Sequence, residues 1–504
     1  MTSVHLAFDL GASSGRAIIG LLDGSPQKLT LEEVHRFEHG GVPTPVGPVW
    51  DLTGIWRNML IGLEAAGRWC RQHNLKLDTL GVDTWGVDWT LVGPGGEVLG
   101  FPHCYRDPAN EGYAEQVLER VGGYQQLYAR TGIQRMPFNS LFPLYGRWQA
   151  EPGMFAAGSR LLFLPDLLHY WLSGEIITES SIASTSSMLD VQTGDWDVEL
   201  IESLGIPTSI LGAIVEPGTK IGPLRRELAE LAHLEETVQV VTPAAHDTAS
   251  AIAAVPVDSR RGPHWAYVSS GTWSCMGAEL QRPLATPEAA VVPFTNERGI
   301  GGTIRFLKNI AGLWLIQELR REWQAAGQEY SFADLVEQAN QAEPLRTIVD
   351  PNFSEFASPG DMAGKLQRYA ERTGQPIPTS TGQLVRTCLE SLALSYRHTC
   401  DKLEQLTGTR VEVLHVVGGG SQNKLLNQMT AEALARPVVC GPVEATAIGN
   451  LLVQGMSHGA VTDLADLREI VARSVEPETY QPSEPAEVWE RAQKCFASVV
   501  TQIP

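Results

Sequence analysis

Cysteine is scarce: seven residues in 504, and they are scattered. No CxxC pair and no Cys/His zinc spacing occurs, so neither a disulfide framework nor a structural zinc site is expected. The odd count and wide spacing suit reduced thiols. No run of about 18 apolar residues occurs, so no helical membrane span is expected. MTSVHLAFDLG has no basic region ahead of an apolar stretch, and no signal peptide is expected. These absences point to a soluble cytoplasmic protein. Positive charge is also thin: 38 Lys and Arg stand against 58 Asp and Glu, a net charge of −20. That balance argues against nucleic acid or an anionic membrane as the main partner. It leaves room for a phosphorylated small ligand, because a few local donors outweigh a distant net charge. Neither a P-loop nor GxGxxG is present.

What is there is ordinary for a globular chain: 43% hydrophobic and 19% charged residues. The length allows about two to four domains. VHLAFDLGASSGRAIIGLL reads as two strands joined by a small-residue turn, and LTLEEVHRF as a third strand. Ile55, Met59, Leu63, Ala66 and Trp69 share one helical face, with Asp51 placed as its cap. LDTLGVDTWGVDWTLVG returns to strand and turn. Residues 113–240 are more helical. Near 238 the plan restarts: VQVVTPA is a strand, HDTASAIAAV a helix start, and HWAYVSSGTWSCMGAEL a second hairpin. KNIAGLWLIQ reads as a helix that sets Asn309 and Gln317 two turns apart. Leu384, Cys388, Leu392, Tyr396, Thr399, Leu403 and Leu406 mark a helix of about six turns. It leads to VEVLHVV, three glycines, a helix over 424–435, the strand PVVC and a helix around ATAIGNLLVQ. The expected fold is a duplicated α/β architecture. Its halves are 1–243 and 244–504, with the last helices able to pack back on the first lobe.

Four stretches carry chemistry. In DLGASSGR a tight turn frees backbone N–H groups for an anion. Ser13 and Ser14 add hydroxyls, Arg16 adds a positive fork, and Asp9 suits a water-shelled Mg²⁺. A plain hairpin with a solvated Arg is the alternative. SSGTWSCMG is a second such turn, in which Thr272 is placed to donate to a phosphate or simply to shape the turn. In HDTAS, Asp247 either caps a helix or accepts a proton from a substrate hydroxyl. In GVDTWGVDW, Trp85 and Trp89 suit the carbon face of a sugar and Gly86 offers backbone groups to hydroxyls; core Trp with exposed Asp is the bland reading. The triple glycine either turns the chain for close helix packing or forms a flat backbone surface for a planar base at Gly419. Ligands of open α/β sheets sit beyond the carboxyl ends of strands.

DLGASSGR, DTWGVD, HDT, SSGTWS, KNIAGLW and VVGGGSQNKLLNQ, in this order, resemble the FGGY carbohydrate kinase family over residues 4 to 480. HCYRDPAN (His103–Asn110) replaces the Trp-x-Asp-x-Arg stretch of many relatives. The resemblance implies an α/β, two-lobed actin-like ATPase (ribonuclease H-like) fold: each lobe a mixed β-sheet flanked by helices, with the active site in an interlobe cleft. It places sugar and phosphate sites in the first lobe, and the base site and catalytic Asp in the second. It implies an ATP- and Mg²⁺-dependent kinase acting on C1 of a ketose, L-rhamnulose, with L-fuculose, xylulose or a non-catalytic sugar sensor as alternatives. By resemblance Asp247 is the proton acceptor. Gly86, His246, Asp247, Thr248 and Asn309 contact sugar. Ala12, Ser13, Ser14, Gly15, Arg16, Thr272, Gln317 and Gly419 contact nucleotide, and Asp9 the metal. The partners expected are the ketose and ATP, with no nucleic acid and no membrane; monomer and homodimer both stay open.

Overall fold

The computed structural model describes residues 2–156, 158–258, 262 and 264–502, the last two by backbone alone. The chain divides into two compact units. The first holds Met1–Arg260, Glu279–Phe306 and Ala445–Val475; the second holds Arg261–Ala278, Leu307–Glu444 and Glu476–Pro504. The HDT stretch therefore stays with the first unit.

The first unit is built on β1 (Ser3–Leu10), β2 (Ser14–Gly24), β3 (Gln27–Glu38), β4 (Thr79–Thr84), β5 (Thr219–Pro223) and β6 (Gln239–Thr242). They lie side by side in the order β5-β6-β4-β1-β2-β3. β1 pairs antiparallel with β2 and parallel with β4; β4 pairs parallel with β6, and β6 antiparallel with β5. β1 is buried at every position, as a central strand covered on both faces must be. Its alternate residues Leu6, Phe8 and Leu10 share a core with Ile55, Met59, Leu63 and Ala66 of the helix Leu52–His73. A period of two meets a period of 3.6 there. Asp51 caps that helix, accepting from the Gly54 N–H at 2.9 Å. The helix Ala445–His458 also packs on β1, where Gln454 Nε2 donates to Leu6 O at 3.0 Å.

The second unit is built on β7 (Trp265–Ser270), β8 (Ser274–Leu280), β9 (Ile304–Ile310), β10 (Val413–Val417), β11 (Val438–Cys440) and β12 (Glu478–Tyr480), although β8 from Glu279 and β9 through Phe306, with Arg305, fall in the first unit. Their order is β9-β8-β7-β10-β11-β12, with the strand Thr295–Arg298 beside β9 as a seventh. β7 pairs antiparallel with β8 and parallel with β10; β10 pairs parallel with β11, and β11 antiparallel with β12. The run β2-β1-β4-β6-β5 thus matches β8-β7-β10-β11-β12 sense for sense, and the duplicated plan is real. The long helix spans Thr381–Thr407, with Leu384, Cys388, Leu392, Tyr396, Thr399 and Leu403 buried and Ser380 in a capping box with Gln383. Leu406 is only half-buried.

One expectation fails. KNIAGLWLIQ is not one helix: Asn309 lies in β9, and Gln317 in the helix Trp314–Ala325. The break is at Gly312, whose φ is +56°. A Cβ there would sit 2.5 Å from Thr272 O, so the turn is pressed onto the β7–β8 hairpin. Leu313 and Trp314 donate their N–H groups to Gly271 O and Thr272 O at 3.1 and 3.2 Å. Tertiary hydrogen bonds outbid the local helical pattern. Among the described residues no helix is long and apolar enough to cross a membrane, and none of the seven cysteines is in a disulfide.

Candidate active site

The β1–β2 turn is closed by Gly11 N–H donating to Ser14 O at 2.9 Å. Ser13 is exposed at its tip, while Ala12, Ser14 and Arg16 are half-buried. Gly15 has no space for a side chain: a Cβ would meet Phe37 at 2.4 Å and Leu10 at 2.7 Å. The antiparallel register sets Asp9 opposite Arg16, and Arg16 Nη2 donates to Asp9 Oδ2 at 2.5 Å. The parallel register of β4 sets Asp83 beside Asp9. Asp83 is fully buried. Its Oδ2 accepts from Asn450 Nδ2 at 2.6 Å, and its Oδ1 has no partner among the described residues. Burial, then the charge of Asp9, push the Asp83 carboxyl well above the usual range; Asn450 opposes the push and Asp247 adds to it. Asp83 was not among the sequence candidates, although its place in DTWGVD on a strand beside β1 was a signal.

The HDT stretch arrives next to β4. Thr84 N–H donates to Ala245 O at 2.9 Å, and Asp247 opens the helix Asp247–Ala253. Asp247 Oδ1 accepts from Thr248 N at 2.5 Å and Thr248 Oγ1 at 3.0 Å. Its Oδ2 makes no hydrogen bond among the described residues, and the side chain is 29% exposed. His246, not Asp247, stands at the cap position and no side chain caps this helix, so the cap reading fails; the contacts to Thr248 occupy one oxygen and leave the other open. His246 Nε2 lies 3.5 Å from Asp247 Oδ1. The same nitrogen would be 3.2 Å from a Cβ at Gly86, so the imidazole stands directly over that glycine. Val87, next in the loop, has φ of +69°, a region a β-branched residue rarely enters. Thr185 Oγ1 accepts from its N–H at 3.1 Å, and Ser140 Oγ donates to its carbonyl at 2.5 Å. Strain held by its surroundings in this way is frequent at ligand sites. Thr248 is buried.

Two residues behind His246 went unseen in the sequence. Glu297, on the strand Thr295–Arg298, and Arg305, on β9, are 8% and 1% exposed and pair at 3.0 Å. Both reach His246 Nδ1, Arg305 Nη2 at 3.1 Å and Glu297 Oε2 at 3.3 Å. No local motif marks such residues, since neither is near HDT in sequence. Trp85 is packed on Trp50 with ring centroids 4.3 Å apart. Both indole N–H groups donate to Asp88 Oδ2 at 2.7 Å. Asp88 is thus buried, not exposed, while Trp89 is half-buried. HCYRDPAN lines a separate cavity of about 420 Å³ with Asp88, Trp89 and Arg147, and none of Gly86, His246 or Asp247 reaches it.

Thr272, Asn309, Gln317 and Gly419 belong to the second unit. Thr272 Oγ1 donates to Gln317 Oε1 at 3.0 Å, and Cys275 Sγ donates to Asn309 Oδ1 at 3.2 Å. The three glycines have three separate reasons. Gly418 has φ of +82°. A Cβ at Gly420 would fall 1.9 Å from Ser270 Oγ, whereas one at Gly419 would meet nothing within 4 Å. Gly419 alone offers bare backbone to open space. Asn423 caps the following helix Lys424–Leu434, accepting from Leu426 N–H at 3.0 Å.

The N-terminal domain of the FGGY family of carbohydrate kinases matches residues 4–254, and its C-terminal domain matches residues 266–458. The chain belongs to the FGGY family of carbohydrate kinases. Among FGGY relatives, a protein of Bacteroides thetaiotaomicron named rhamnulokinase is 41% identical over 99% of this chain and 100% of its own length. A rhamnulokinase of Bacillus subtilis is 36% identical over 95% and 96%. Ligand-bound xylulose kinase from Lactobacillus acidophilus superposes with a TM-score of 0.81 at 15% identity, covering 99% of this chain and 98% of that one. Plasmodium falciparum glycerol kinase with ADP superposes with a TM-score of 0.79 at 14% identity, covering 100% and 98%. The FGGY fold, the actin-like ATPase fold of two mixed-sheet domains, is that of this chain.

Proposed function

We propose that the chain transfers the γ-phosphoryl group of ATP to the C1 hydroxyl of L-rhamnulose, giving L-rhamnulose 1-phosphate and ADP, as a cytoplasmic step of L-rhamnose catabolism. The names of the full-length relatives support the substrate. The chemistry rests on one observation: Asp247 has one oxygen fixed by Thr248 and the other open, beside an imidazole that covers a bare glycine.

In this reading Asp247 Oδ2 accepts the C1 hydroxyl proton as the new O–P bond forms and the bond to the β-phosphate bridge breaks. Gly86 and His246 position the sugar, with Thr248 holding the carboxylate and Asn309 contacting a further hydroxyl. The turn Ala12–Arg16 and Thr272 receive phosphate oxygens, Gln317 contacts the nucleotide, and the base lies on Gly419. Phosphoryl transfer is loose, so positioning and charge stabilisation supply most of the rate. Asp9 would hold Mg²⁺, which when bound neutralises charge on the phosphate oxygens. The residues suit that ion. Asp9 lies beside the buried Asp83 carboxyl, one oxygen of which has no partner among the described residues. Among the described residues no group of three or more His, Cys, Asp or Glu could hold an ion alone. A hydrated ion shared with phosphates fits that better than an all-protein cage.

The test is an ADP-release assay over L-rhamnulose, L-fuculose and xylulose, run with the native protein and Asp247→Asn. L-Rhamnulose should give the highest kcat/KM, and Asp247→Asn should fold yet lose on the order of 10²–10⁴ in kcat. Preference for another ketose would reassign the substrate, and near-normal turnover by the variant would remove Asp247 as base.

A further inference from the structure

We propose that Arg305 and Glu297 are positioning residues that fix the tautomer of His246, so that its Nε2–H points to the sugar and the Nδ1 lone pair points inward. The reading extends the proposed kinase site, on which its catalytic consequence rests.

The argument is one of donors and acceptors. A guanidinium has five N–H donors and no acceptor. Arg305 Nη2 lies 3.1 Å from His246 Nδ1 in hydrogen-bonding geometry, so that nitrogen must accept. The single proton of the neutral ring is then on Nε2. That nitrogen faces Gly86 and lies 3.5 Å from Asp247 Oδ1, where an N–H is attractive and a lone pair is repulsive. Glu297 Oε2, 3.3 Å from Nδ1, would draw the proton to the wrong nitrogen if it acted alone. Arg305 Nη1 holds the same oxygen in an ion pair at 3.0 Å, although neither atom makes a hydrogen bond among the described residues. Burial disfavours the Glu297 carboxylate, yet the group is held below its usual range, chiefly by the charge of Arg305. A paired Arg and Glu of net zero charge is also what a site this dry tolerates. Arg305 is anchored in turn by Nε donating to Arg298 O at 3.0 Å. A second-rank residue that orients a ring through its far nitrogen is a recurrent device for histidine.

The tautomer is read directly from the ring ¹³Cδ2 and ¹⁵N shifts of histidine-labelled protein, with His246 assigned by comparison with His246→Gln. The native protein should show the Nε2–H form. An Nδ1–H form would overturn the proposal whatever the substrate proves to be, since this measurement uses no sugar or nucleotide. In Arg305→Met the ring should switch to Nδ1–H, and the KM for L-rhamnulose should rise about tenfold or more while the KM for ATP stays within twofold. The double variant Arg305→Met with Glu297→Gln presents an amide N–H to Nδ1 and carries no unpaired charge. It should restore both the Nε2–H signal and most of the sugar KM. If Arg305→Met does not fold, the double variant carries the test alone, and an Nδ1–H signal in it sinks the idea. A tautomer that switches without any change in sugar KM would show that the arrangement does not serve the sugar.

Discussion

Asp88 shows how a single buried carboxyl links the Trp85–Val87 loop to its support. Burial drives its pKa up, against the two indole donors and the Tyr105 N–H, to about 7. An unfolded Asp titrates near 3.9. Between those values the native state holds a proton that the unfolded chain has lost. The contribution is therefore present in full below about pH 4, fades as pH rises, and is gone above about 7. Over the whole window it is on the order of 4 kcal/mol. Urea melts of the native protein and Asp88→Asn at pH 5 and pH 8 isolate it. The native protein should lose about 2–3 kcal/mol relative to the variant across that interval; a constant difference would mean that Asp88 stays ionised. Residues of this kind were legible only in part. Asp88 stood in a quoted motif, yet an exposed Asp was the plain expectation, because nothing in GVDW announces that Trp50 lies across from it.

Among the elements, the triple glycine gives the sharpest contrast. Gly420→Ala drives a methyl into Ser270 and should cost about 1–3 kcal/mol. Gly419→Ala enters open space at an ordinary φ and should leave stability unchanged or raise it by up to about 1 kcal/mol. If the base rests on Gly419, the same change should raise the KM for ATP several-fold. Thermal melts with ATP titrations separate the two effects, and an unaltered ATP KM in Gly419→Ala would move the base elsewhere. Hairpins and long amphipathic helices were readable because turn residues and apolar periods are local signals. KNIAGLWLIQ was misread for the opposite reason. Its helical pattern is local, but Leu313 and Trp314, next to Gly312, are pinned to Gly271 and Thr272 some 40 residues distant, which no window along the chain contains. The same holds for Glu297 and Arg305, which meet His246 only through the fold.

At the scale of the molecule, neither unit is a single stretch of chain. The first draws on Glu279–Phe306 and Ala445–Val475 as well as the N-terminal half. A fragment of residues 1–243 lacks the helix Ala445–His458, and with it the Gln454 and Asn450 contacts to Leu6 and Asp83. It also lacks the strand bearing Glu297. Expressed alone, it should show no cooperative thermal transition by circular dichroism, because β1 would keep one partly uncovered face. A sharp transition for that fragment would mean that the later segments dock on an already stable domain.

The hydrogen bond from Asn450 to Asp83 joins residues 367 positions apart. On a ribosome adding about 5–20 residues per second, that separation is roughly 20–70 s of waiting. Through that interval the nascent sheet carries an acidic corner with no amide to quiet it. A prematurely terminated product would keep every residue of the β1–β2 turn and still lack the helix that supplies Asn450.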